Sequence, residues 1–248
     1  SFAVVPSELR CDNILLESIS FECDCAAAVQ LLFGSKADKP VVKKDIPAGV
    51  TAQSVVKNYI DAIGGEKALK AVKTVLVTAK GTIQGRSLDM VSKFSNKGMS
   101  TSDISMGGMS MMKQVIGDKT GYQSVQGQKK TIEGEELVKE KKDAVPFVEL
   151  SFLADKTIVL SGIESLNGQD AYAVQVGTTK YFYDVKTGLR VATENESGEG
   201  AQKRKVMTYY ADYVEVKGVK FPYKTTMDVG MPLEFITQDV KINEGVTD

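Results

Sequence analysis

Apolar residues recur along positions 52–63 with the spacing of an α-helix. They lie three or four residues apart and form one stripe: Ala52, Val55, Val56, Tyr59, Ile60 and Ile63. Thr51 is a suitable N-cap, and Gly64 suits a left-handed C-terminal cap. We therefore predict an amphipathic helix, a short second helix after the two glycines, and a stripe that packs on the strands that follow.

From Lys73 onward the pattern changes to alternation with period two and to short β-rich runs. Turn signals separate these runs, including Gly107-Gly108 and Lys217-Gly218. Another helix is expected from Glu133 to Lys142. The candidate strands are 73–81, 87–95, 99–106, 109–117, 120–126, 156–164, 170–177, 180–186, 189–196, 203–216, 219–229 and 233–243.

Many strands with hairpin connections and no alternation with helices predict a mostly β fold of the α+β class. We expect one large curved antiparallel sheet of about 11 strands, a half-barrel whose concave face is covered by helices.

Methionines cluster around the Gly107-Gly108 turn. If these glycines form a two-residue hairpin, Met106 faces Met109 and Ile104 faces Met111 on one side of the sheet. Methionine adapts to variable apolar shapes such as acyl chains. Ordinary core packing is the alternative interpretation of the same residues.

Composition and charge narrow the function classes. The chain has 248 residues, of which 42% are hydrophobic and 25% are charged, and its net charge is −1. This balance does not favour nucleic acid as a partner, and no apolar run is long enough to form a transmembrane segment. The chain contains no histidine, which excludes Ser-His-Asp catalysis and His-ligated zinc. We predict no enzyme activity, no catalytic residue, no cofactor and no metal.

The chain is expected to have three parts. Residues 1–35 form an N-terminal segment of uncertain nature, and they hold all three cysteines, Cys11, Cys23 and Cys25. Residues 36–49 are polar, contain two prolines and are expected to form a linker. The compact domain is predicted to span residues 50–248. The chain starts at Ser1 rather than Met, so any targeting signal is expected to lie outside it.

Residues 51–65, 111–115, 121–123 and 212–222 carry a resemblance to the superfamily of lipoprotein-sorting carriers of the outer membrane, the LolA/LolB-like proteins, in Bacteroidetes. More narrowly, the chain from about Lys36 resembles the C-terminal extension of some insulinase/pitrilysin-type peptidases of that phylum. The zinc-binding His-x-x-Glu-His motif of those peptidases is missing. The resemblance implies a half-barrel of the cell envelope, in the periplasm or at the outer membrane, that holds a lipid or acyl chain.

Two functions remain open at this point. The first is a binding domain with an apolar cavity, formed by Val55, Val56, Tyr59, Ile60, Ile63, Ile104, Met106, Met109 and Met111. The second is an accessory interaction domain with a filled core, whose partner is a peptidase or another envelope protein.

Overall fold

A computed structural model describes residues 44–83, 85–197, 204–228 and 231–246. The predicted N-terminal segment with its three cysteines, and most of the predicted linker, lie outside these ranges. The proposed division of the chain therefore stays a prediction.

The first helix forms where the apolar stripe predicts it. Helix α1 spans Ala52–Ala62, and its N-terminus carries a capping box in which Thr51 and Ser54 each accept a hydrogen bond from the other's backbone N–H. Ile63 is the C-cap, and Gly64 follows it with a positive φ of 136°, as predicted for a glycine at the C-terminal cap. The Gly65 N–H donates to the Ile60 oxygen at 2.8 Å and closes the cap. The chain then continues through Gly65 into helix α2, Glu66–Ala71.

The strands form one open antiparallel sheet, as predicted, but with 13 strands in the described ranges. In chain order they are β1 Thr74–Ile83, β2 Arg86–Ser95, β3 Met99–Met106, β4 Met109–Ile116, β5 Gly121–Val125, β6 Gln128–Ile132, β7 Val159–Leu166, β8 Gln169–Val176, β9 Thr179–Asp184, β10 Arg190–Ser197, β11 Arg204–Val216, β12 Val219–Asp228 and β13 Pro232–Ile242.

The sheet consists of two meanders. Strands β1 to β6 follow one another outward from the centre, and β7 to β13 return from the opposite edge. Pairing of β1 with β13 joins the two meanders, with Val75 opposite Ile242 and Gly81 opposite Phe235. The crossover between the edges contains helix α3, Gly134–Asp143, and the short helix α4, Glu149–Phe152.

The main core lies between the helices and the concave face of the sheet. It contains the α1 stripe together with strand residues such as Val75, Tyr183 and Val219. Further along the same face of β1, Ala79 belongs to a second cluster with Leu88, Ile104, Leu233 and Phe235. The concave face therefore carries two separate apolar clusters, and the helices α1, α2 and α4 contribute residues to the first.

Within the described ranges, no helix combines the length and the apolar character that crossing a membrane requires.

Candidate ligand-binding site

The apolar stripe of α1 is fully packed. Val55, Val56, Tyr59, Ile60 and Ile63 expose between 0% and 3% of their surface. The helix packs on α4 and on β9, and the Tyr59 ring lies 5.2 Å from the Tyr183 ring. These five side chains fill the space beneath the helix.

The methionine hairpin is built partly as predicted. Met106 is opposite Met109, but a register shift between Ile104 and Ser105 places Ile104 opposite Met112. The predicted pairing of Ile104 with Met111 is therefore wrong, because a bulge adds one residue to β4 at this point. Ile104 is buried, Met106 and Met111 are half-buried, and Met109 is 69% exposed.

The residues of α1 and those of the methionine hairpin, which were predicted to line one cavity, do not come together in the structure. The α1 residues belong to the main core, whereas Ile104 and Met106 belong to the second cluster. Val55 contributes to a cleft of about 310 Å³ beside the β9–β10 turn, and Ile104 to a space of about 110 Å³. A role of these nine residues in ligand binding stays a prediction.

A buried ion pair ties helix α4 to the sheet. Arg190 on β10 donates to Glu149 Oε1 on α4 at 2.6 Å, and the two side chains are 18% and 2% exposed. The Arg190 guanidinium also lies 4.5 Å from the centre of the Tyr210 ring. Arg190 Nε and Tyr183 Oη are buried and have no hydrogen-bond partner among the described residues. A charged contact inside the apolar layer thus fixes the position of α4.

The surroundings of the ion pair shift the ionisation of the groups near it. Burial would lower the pKa of Arg190, but the Glu149 carboxylate holds that pKa well above its ordinary value. Burial raises the pKa of Tyr59 well above its ordinary value, against the opposing effect of Arg190, and burial does the same for Tyr183. Tyr59 and Tyr183 therefore stay neutral, and neither can serve as a base near neutral pH.

A cleft of about 730 Å³ opens at one end of the helical layer, and we call it the interhelical cleft. It lies between α2, the β2–β3 turn, the end of α3 and the segment that leads into α4. Leu69, Val72 and Phe147 contribute its inner wall and are also members of the main core. Its volume lies in the range of small-molecule sites. None of the nine predicted residues is among the described residues that line it.

Two features of this region were not predicted from the sequence: the buried ion pair and the interhelical cleft. Glu149 is the single charged residue between Val145 and Ala154, an apolar run that signals a buried carboxylate. Arg190 gave no such signal, because it is placed at the start of a strand like many exposed cations. The interhelical cleft is formed by elements that are distant in sequence, so periodicity within one element could not indicate it.

In the described part of the chain, no group of three or more Cys, Asp or Glu side chains is arranged to hold a metal ion.

Neither the models of known protein families nor the sequences of curated proteins match this chain. Among solved structures, it is similar to a LolA superfamily protein from Nitrosomonas europaea, with 14% identity, a TM-score of 0.50 and coverage of 79% of this chain and 96% of that one. A DUF1329 family protein from Desulfovibrio piger is 12% identical with a TM-score of 0.47, covering 79% of this chain and 95% of that one.

The LolA superfamily protein reaches a TM-score of 0.50 and the DUF1329 protein does not. The chain thus has a LolA-like fold, as predicted from its sequence. At 14% identity, this similarity establishes the fold of the chain but does not identify a ligand. The predicted resemblance to an extension of insulinase-type peptidases stays a prediction.

Proposed function

We propose that this domain is a non-catalytic module of the cell envelope, in the periplasm or at the outer membrane, that holds a lipid or an acyl chain. The observation that carries the proposal is the interhelical cleft, a space of about 730 Å³ with an apolar inner wall. It lies beside the helices of a half-barrel with a LolA-like fold. Apolar wall, volume and position together suit a ligand held without covalent chemistry.

The position of the cleft suggests how a chain enters. Leu69, Val72 and Phe147 are 1%, 4% and 8% exposed, and they connect the cleft directly to the packed layer under α1. A short chain can bind on this wall with no change in the core. A longer chain requires the α1 stripe to separate from the sheet, and in that case the predicted residues Val55, Val56, Tyr59, Ile60 and Ile63 become its contacts.

The test combines bound lipid with blocking substitutions. Purified protein is examined by native mass spectrometry and lipid extraction, and then titrated with a fluorescent fatty acid. Val145→Trp and Ser151→Trp add bulk from two sides of the cleft, and both positions lie outside the described core clusters. Val159→Trp, on an exposed strand position, is the matched control.

We expect the two cleft variants to lose most of the binding while the control keeps it and all three remain folded. A wild-type protein that carries no lipid and does not bind the probe would contradict the proposal.

A second function is favoured by a different observation. The α1 stripe leaves no space beneath the helix, which is expected of an accessory interaction domain with a filled core. In that case the partner is a peptidase of the insulinase type or an outer-membrane assembly. A wild-type protein that carries no lipid, does not bind the probe and forms a complex with such a partner would favour this alternative. Equal probe binding by wild type and by both cleft variants would instead contradict the cleft as the ligand site.

A further inference from the structure

The interhelical cleft carries an excess of positive charge at its solvent-exposed side, which we call its opening. Four lysines line it, namely Lys70, Lys97, Lys141 and Lys142, against the single carboxylate of Asp155. The formal charge of the chain as a whole is −1. The local excess of positive charge is thus a property of this opening and does not reflect the overall composition.

The four lysines come from three separate elements. Lys141 and Lys142 belong to the last turn of α3, where the helix dipole alone favours cations. That reason does not apply to Lys97, which lies in the turn between β2 and β3. Lys70 reaches the opening from the last turn of α2, where the same dipole effect applies. Helix chemistry therefore favours three of the four cations one by one, but the fold brings the ends of two helices and Lys97 to the same opening.

Two of these lysines form ion pairs with carboxylates near the surface. Lys70 pairs with Glu66 within α2, where the two side chains are 64% and 50% exposed. Lys141 is 27% exposed and donates to a carboxylate oxygen and to the backbone oxygen of Asp118, whose side chain is 75% exposed. An exposed ion pair contributes little free energy, so Lys70 can exchange Glu66 for a ligand anion at small cost. Lys142 donates no hydrogen bond to any described residue and has none to lose.

The inner wall has the opposite character. Phe147 packs on Phe221 with ring centres 5.8 Å apart, and Leu69 and Val72 continue the same apolar surface. A molecule that fits both regions needs an apolar chain for the wall and a negative group for the opening. We infer that the cleft selects amphiphiles with an anionic head group, a carboxylate or a phosphate, on an acyl chain. The inference rests on the proposed function and specifies its ligand.

The experiment compares ligands that share one acyl chain. Oleate, oleyl alcohol, oleylamine and oleoyl lysophosphatidate compete with a neutral apolar fluorescent probe, each below its aggregation concentration. Inorganic phosphate alone tests whether the chain is needed. The variant K97Q/K142Q removes two charges from the opening, and K67Q/K80Q removes two exposed lysines that do not line the cleft.

We expect both anionic amphiphiles to bind about tenfold more tightly than the alcohol, and oleylamine to bind more weakly than the alcohol. K97Q/K142Q should lower the affinity for oleate about five- to tenfold and change that for the alcohol less than about twofold. K67Q/K80Q should change neither. Added salt should reduce the preference for oleate, because the opening is exposed to solvent.

Equal affinity of oleate and oleyl alcohol would overturn this inference and leave the proposed function standing. Binding of none of the four compounds would instead contradict the proposed function itself. If inorganic phosphate binds as tightly as the phosphate amphiphile, the site recognises an ion and the inference fails. Sedimentation with phosphatidylglycerol vesicles that depends on Lys97 and Lys142, with no preference among monomeric amphiphiles, would assign the lysines to membrane contact and overturn it as well.

Discussion

Glu149 and Arg190 are the residues at which a single substitution should disturb the interior most. Removing one partner leaves the other charge in an apolar layer, because Glu149 is almost fully buried. We expect Arg190→Leu and Glu149→Leu each to lower the free energy of unfolding by about 3–5 kcal/mol. Urea unfolding followed by circular dichroism measures the effect.

The double variant R190L/E149L distinguishes the contribution of the ion pair to stability from that of the packing around it. An apolar pair of similar volume is expected to restore most of the lost stability, since neither charge is then left unpaired. The exposed pair of Lys57 and Asp61 on α1 serves as the reference, and its removal should cost no more than about 0.5 kcal/mol. Additive losses in R190L/E149L would show that the two side chains do not act as a pair.

Asp184, at the β9–β10 turn, makes a contribution to stability that depends on pH. Burial raises the pKa of its carboxyl group, but hydrogen bonds from Thr187, Gln169 and the Lys186 N–H lower the pKa by more, so that it lies below its ordinary value of 3.8. A carboxylate with a lowered pKa stabilises the fold above its unfolded-state pKa, and this stability is lost as the pH falls through the folded-state value.

We expect Asp184→Asn to cost about 1–3 kcal/mol at neutral pH, and the difference from wild type to shrink below about pH 4. Asp170→Asn on the adjacent strand is the control, because its ion pair with Lys44 is exposed. The measurement is urea unfolding at a series of pH values. A difference that stays constant down to the most acidic condition would contradict the role of the charge.

The connection between α1 and the sheet depends on one glycine. A Cβ at Gly64 would lie 2.4 Å from the backbone oxygen of Gly218, and the φ of 136° is unfavourable for other residues. The adjoining N–H of Lys220 donates to the Ile63 oxygen at 2.8 Å, so the two backbones cannot separate without losing this bond.

Gly64→Ala should therefore destabilise the protein by about 1–3 kcal/mol more than Gly65→Ala. Gly65 also has a positive φ, but a Cβ at that position would meet no atom within 4 Å. Thermal unfolding of the two variants, with wild type as reference, measures the difference. Equal losses would mean that backbone conformation alone, and not the contact with the β11–β12 turn, determines the cost.

Helices and strands are predicted well from the sequence where their buried positions recur with the period of that element. Helix α1 and the twelve candidate strands correspond to observed elements. The agreement has a clear cause where one face is packed, as in α1 and β13, because packing on one face makes the apolar residues periodic. Strand β6 was not predicted, since Gln128, Lys129, Lys130 and Thr131 are all exposed and show no alternation. Its pairing with β5, and not its own composition, makes it a strand.

The candidate site was less predictable than the fold. The apolar character of Val56 and Met106 follows from the sequence, but their separation into two clusters depends on the position of each element on the concave face. The bulge in β4 changed the register beyond the hairpin turn, and no turn residue indicated it. Lys70, Lys97 and the adjacent pair Lys141-Lys142 come together in the cleft only through tertiary structure.

At the scale of the whole domain, the two meanders meet at a single strand pair. Strand β1 pairs with β2 and β13, and its Val75 and Ala79 are 2% and 3% exposed. Strand β6 pairs with β5 in the described sheet and is mostly exposed. The edge strand can therefore open locally, whereas β1 and β13 cannot separate without exposing both apolar clusters of the concave face.

This architecture predicts an order of amide hydrogen exchange. We expect the amides of β1 and β13 to exchange only through global unfolding, with protection that matches the free energy of unfolding from urea titration. Amides of β6 should exchange through local opening, with much lower protection and little sensitivity to urea. Exchange measured by mass spectrometry at several low urea concentrations distinguishes the two classes. Equal protection and equal urea dependence in β6 and β1 would mean that the 13-stranded sheet unfolds as one unit, and the assignment of β1 and β13 as its stable centre would be wrong.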